Sequence, residues 1–87
     1  MEKIIADVDQ ILRDGFPGAT TELELLDERV TGFLIWEGFE GLEQMDRRKP
    51  VNKVLIDALG PNFREHVSMI FLMTPAEMSA MRGEVEI

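Results

Sequence analysis

The chain has no cysteine and one histidine, His66, among its 87 residues. Without thiols it forms no disulfide and no self-sufficient thiolate site, whether zinc or iron–sulfur, because such sites draw several Cys or His ligands from the protein. Positive charge is scarce too, since nine Lys and Arg against 17 Asp and Glu leave a formal charge of −8. Nucleic acids and anionic membranes are held largely by Lys and Arg, so this balance works against both as partners. No apolar run nears the roughly 20 residues that cross a bilayer. The start, Met1-Glu2-Lys3-Ile4-Ile5 with Asp7 and Asp9 close behind, lacks the basic head and long apolar core of a secretion signal. A cytoplasmic location is expected.

With 45% apolar and 30% charged residues, the composition is that of an ordinary folded domain. One domain over 1–87 is expected, its last residues, 83–87, a frayed tail. A chain of this size buries about 60 to 65% of the surface it exposes when unfolded, which supports one modest core.

Ile4, Ile5, Val8, Ile11 and Leu12 fall on one helical stripe, so residues 2–14 read as an amphipathic helix. Gly15 and Pro17-Gly18 then force a sharp turn. From Thr21 to Leu26, Leu23 and Leu25 alternate with Glu22 and Glu24, the pattern of a half-buried strand. Asp27-Glu28-Arg29 is a polar break, and Thr31 to Trp36 suits a second strand; the short link predicts an antiparallel hairpin, although no Asn-Gly turn marks it.

Beyond Gly38 and Gly41, the apolar spacing predicts two helices. One is short, near 42–47, and a longer one runs near 50–59 with Pro50 in its first turn, where a fixed φ and a missing amide hydrogen do least harm. Gly60-Pro61 stops the second. The nearly unbroken apolar run His66 to Met73 predicts a strand covered on both faces or lying inside a mixed sheet. Thr74, Pro75 and Glu77 form a capping-box signature for a last helix, whose apolar side carries Met78 and Met81. The roughly thirty residues between the second and third strands predict a parallel, right-handed crossover. The expected fold is α+β in the order α-β-β-α-α-β-α, with helices packed on a small mixed three-stranded sheet.

Phe39-Glu40-Gly41, Arg47-Arg48-Lys49 with Val51, His66, and Thr74-Pro75-Ala76-Glu77 resemble the BolA-like proteins, whose pattern runs Phe-x-Gly, Arg-His-Arg, a later strand histidine, and Thr-Pro-Glu-Glu. The likeness covers roughly residues 39–77. It implies a fold related to type II KH domains. It also implies a non-enzymatic role in which the protein pairs with a monothiol glutaredoxin and helps ligate a shared iron–sulfur cluster, with His66 at the position of the family's strand histidine. Some members of the family are transcription regulators. Arg48 stands where the family has histidine, and the Asp27-Glu28-Arg29 loop carries neither the histidine nor the cysteine that many members use as a second ligand.

An imidazole can replace a thiolate on a cluster iron, and a chain without cysteine takes part only when a partner brings the remaining ligands. The alternative for His66 is a strand-end residue without function. Arg47, Arg48, Lys49 and Lys53 are a candidate patch for a nucleic-acid phosphate at a helix start, against a solvated helix surface paired with Asp46 and Asp57. The Gly-x-x-Gly loop of nucleic-acid-binding KH domains is missing. Trp36 is a candidate anchor for a protein partner or a homodimer, against core packing, and Met69, Met73, Met78 and Met81 are either an adaptable surface or core filling. His66 and Ser68 are about 6.6 Å apart along a strand, too far for a nucleophile and its base unless their side chains lean together. Asp7-Val8-Asp9 begins like a calcium loop but continues with Ile11 and Leu12 where a ligand and a glycine belong.

Overall fold

In the computed structural model, which describes residues 2–83, the chain forms α1 (Glu2–Gly15), β1 (Thr20–Leu26), β2 (Arg29–Ile35), a 3₁₀ turn (Glu37–Phe39), α2 (Gln44–Leu59), a second 3₁₀ turn (Phe63–Glu65), β3 (Val67–Met73) and α3 (Pro75–Arg82). The strands make one mixed sheet in the order β1-β2-β3, antiparallel between the first two and parallel between the last two. The expected frayed tail lies outside the described residues, apart from Gly83. That glycine takes the left-handed conformation and ends α3 by donating to the Ala80 carbonyl.

The helical stripe does what its spacing predicts. Val8 and Leu12 are fully buried, and Ile4, Ile5 and Ile11 pack around them against α2 and the sheet. Leu23 and Leu25 face this core from β1, while Glu22 and Glu24 point to the other, wet face. The hairpin turn is two residues long. Asp27 and Glu28 both have positive φ, 54° and 66°, the pairing that a primed turn requires and that Asn-Gly usually supplies. A continuous seven-pair ladder from Thr20↔Ile35 to Leu26↔Arg29 imposes that geometry on two residues that do not prefer it.

Gly32 shows how tightly the central strand is fitted. Its φ is +143°, and a Cβ there would stand 1.9 Å from the Glu22 carbonyl oxygen. Beside it the register between β2 and β3 shifts, so that Ser68 and Met69 face Thr31 alone between the pairs Val30↔Val67 and Gly32↔Ile70.

Two expectations are corrected. The helices near 42–47 and 50–59 are one continuous helix, Gln44–Leu59, with Pro50 in its seventh position. Pro50 and Asp46 are both exposed, so water can take the Asp46 carbonyl that has no amide to accept from, and the buried Arg47 fixes the first turn from the other side. Second, β3 begins at Val67 rather than His66 and is an edge strand, with Met69 and Phe71 nearly half exposed on the face away from α1. Its hydrophobic run is continuous because that open face is lined with apolar residues, not because both faces are covered.

Phe39, from the Phe-Glu-Gly segment, is fully buried among Phe16 and Trp36, with ring centroids 5.9 and 5.2 Å away. Burial of such a ring is worth about 2–3 kcal/mol. Gly41 follows with φ +84°, which lets the chain turn back into α2. This motif therefore builds core and turn.

Candidate functional site

His66 stands where the second 3₁₀ turn meets β3. Phe63 is buried and roots that turn in the core. The His66 amide donates to the Phe63 carbonyl at 2.9 Å, and the His66 carbonyl accepts from the Val30 amide at 2.8 Å. The backbone is thus fixed on both sides while the imidazole is exposed. Because Val30 directly follows Arg29, this bond sets His66 at the end of the sheet that carries the Asp27-Glu28 turn. Ser68 is exposed as well, and the side chains of His66 and Ser68 are not hydrogen-bonded to each other. No group of three or more His, Cys, Asp or Glu among the described residues is placed to hold a metal ion.

The four basic residues of α2 do not form one surface. Arg47 is buried, and its guanidinium donates to the Leu42 and Leu72 carbonyls and to both carboxylate oxygens of Glu77, at 2.8 and 2.9 Å. That fork, together with the Thr74 amide, pulls the Glu77 carboxyl down to about 2. The same pair pushes the Arg47 guanidinium up. Glu77 is also the second half of the capping box, since its amide donates to the Thr74 hydroxyl and its carboxylate accepts from the Thr74 amide. Arg47 therefore ties α2, the free edge of β3 and the start of α3 into one unit. Lys49 and Lys53 pair with Asp46 and Asp57 on the helix surface.

Arg48 goes elsewhere. It lines a cleft of about 440 Å³ together with Arg29, Arg64, Asn52, Ser68 and Met69, and its guanidinium rests against the Met69 sulfur at 3.3 Å. His66 lies two residues after Arg64, with Glu65 between them, and directly before Val67; Arg64 and Val67 line the same cleft. Arg29 and Arg64 escaped the sequence reading because nothing local marks them. They are 35 residues apart in number and meet through the β2–β3 pairing.

Trp36 belongs to the core rim. Its indole N–H donates to the Pro17 carbonyl at 3.0 Å, and its ring packs edge-on against Phe16 at 5.1 Å. The methionines split, with Met78 buried, Met73 half-buried, and Met69 and Met81 exposed. On the open face of the sheet Phe33 and Phe71 sit side by side at 5.4 Å, and Arg82 joins Glu22 there through an ion pair. No helix among the described residues is long and apolar enough to cross a membrane. A scan against protein-family models and a search of curated proteins both return no match.

Proposed function

We propose that the chain is a non-enzymatic, BolA-like partner-binding protein of the cytoplasm that presents His66 to a monothiol glutaredoxin and shares an iron–sulfur cluster with it in iron or redox regulation. What carries the reading is His66 itself, an exposed imidazole whose backbone is clamped by Phe63 and Val30. One ligand from a fixed position suits a group whose other ligands come from a second protein, and this chain has no cysteine to offer. The Asp27-Glu28-Arg29 turn adds no imidazole or thiol, so His66 would be this chain's one nitrogen ligand. When bound, such a cluster supplies one-electron chemistry at a potential raised by imidazole in place of thiolate.

The test is to mix the protein with a cluster-loaded monothiol glutaredoxin and follow the visible absorption, with His66→Ala as the control. A changed spectrum that needs His66 is expected. Identical spectra with and without the chain would end the idea. The rival reading, a nucleic-acid module built on Arg47, Arg48, Lys49 and Lys53, has less behind it, since Arg47 is buried in an ion pair and both lysines are paired with carboxylates. A gel shift at low salt that disappears on charge reversal at Arg48, Lys49 and Lys53 would revive it. Self-association through Trp36 is weakened by the indole's bond to Pro17.

A further inference from the structure

The side chains of eight lysines and arginines are described, and five of them pair with a carboxylate: Arg13 with Asp9, Arg47 with Glu77, Lys49 with Asp46, Lys53 with Asp57 and Arg82 with Glu22. The remaining three are Arg29, Arg48 and Arg64. They come from β2, α2 and the second 3₁₀ turn, and all three line the same cleft. In a chain with 17 acidic residues and a charge of −8, three cations without a carboxylate partner among the described residues, gathered in one place, are the opposite of what charge pairing at random would leave.

Their contacts leave the charge available. Arg48 leans on the Met69 sulfur, a weak acceptor, and Arg64 lies over the Phe63 ring at 5.1 Å. Both contacts orient a guanidinium without neutralising it. Three like charges held together repel one another in the free protein, and an anion between them removes that cost. Guanidinium forks match the oxygens of a phosphate two at a time, and a doubly charged phosphate answers three cations better than a single carboxylate does. Asn52 and Ser68 add neutral donors on the same walls, and Met69 adds an apolar surface. About 440 Å³ falls within the range of small-molecule sites.

We infer that the cleft between α2 and the start of β3 is a binding site for a phosphate group, free or carried by a compact phosphomonoester, held by Arg29, Arg48 and Arg64. The acidic remainder of the molecule does not forbid this. Exposed charges farther off than about 8 Å are largely screened at physiological ionic strength, while contacts inside the cleft are not.

The experiment is a titration of the full ¹⁵N-labelled chain with inorganic phosphate, with adenosine 5′-monophosphate and with a short single-stranded oligonucleotide, at low and at physiological salt. Saturable shifts are expected at the Arg29 and Ser68 amides and the Asn52 side-chain amide. Binding by phosphate alone marks a free-anion site, and tighter binding by the nucleotide marks a phosphomonoester site. Arg29→Ala or Arg64→Ala should each weaken binding by about tenfold, the loss of one charge-assisted contact. Lys49→Ala, which removes the same charge outside the cleft, should leave it unchanged. Arg29 and Arg64 are exposed, so these variants should melt as the parent does. The absence of saturable shifts at low salt, or equal affinity in the Arg29→Ala/Arg48→Ala/Arg64→Ala variant, overturns the site. An oligonucleotide that binds far more tightly than the mononucleotide overturns the small-ligand assignment in favour of a nucleic-acid backbone.

Discussion

Arg47 on α2 grips Glu77 on α3 through two parallel hydrogen bonds, and the same guanidinium reaches the Leu72 carbonyl at 2.8 Å on the free edge of β3. Among the described residues no buried side-chain nitrogen or oxygen lacks a partner. Truncating one member of such a pair leaves the others unsatisfied, which is where the stability cost of a buried cation arises.

This pair makes stability depend on pH in the acid range. Glu77 has a folded value of about 2 against an ordinary 4.5, so it contributes stability that is fully present above about 4.5 and is lost as pH falls from there toward 2. Because the Glu77 side chain is 44% exposed, screening reduces the contribution to about 1–2 kcal/mol. Urea unfolding of the parent and of Glu77→Gln at pH 7 and pH 3 should show the variant less stable at pH 7 and the gap narrowing at pH 3. A gap of constant width contradicts the assignment.

Gly32→Ala should be among the most damaging single changes. The added methyl would meet the Glu22 carbonyl oxygen of the neighbouring strand, and the residue would have to hold φ +143°. A loss of about 3 kcal/mol or more is expected, read as a large fall in the denaturant midpoint. A midpoint near the parent's would mean that the sheet can open there.

Pro50→Ala should stabilise the protein. Alanine restores an amide donor for the Asp46 carbonyl inside Gln44–Leu59 and removes a residue that costs an interior helix about 3 kcal/mol. Part of that gain is offset by greater freedom of the unfolded chain, leaving about 1–2 kcal/mol in thermal unfolding. A lower melting temperature would point to a packing role for the proline ring.

His66→Ala should leave stability within about 0.5 kcal/mol, because the ring is exposed and the two hydrogen bonds at this residue are made by its backbone. Circular dichroism melting checks this. A large loss would recast His66 as a structural residue and remove the basis for reading its partner-dependent spectrum as ligation.

Elements whose signals are local could be read from the order of residues alone. The 3.6-residue stripe of Val8 and Leu12, the alternation of Leu23 and Leu25, and the Thr74-Pro75-Glu77 cap each act within a few residues, and the chain needs no distant partner to express them. The parallel pairing of β3 with β2 was legible too, because thirty residues with helical spacing leave few ways back to the sheet. Tertiary structure decided the rest. It carried α2 through Pro50, since the anchor at Arg47 lies on elements far away in sequence. It placed β3 at an edge, so that an apolar run expected to be covered on both faces or to lie inside the sheet has one open face. It also divided a contiguous basic stretch, drawing Arg47 into the core and turning Arg48 toward Arg29 and Arg64. Charge is read along the chain, but its use depends on which carboxylates the fold brings within reach, and that is a property of three dimensions.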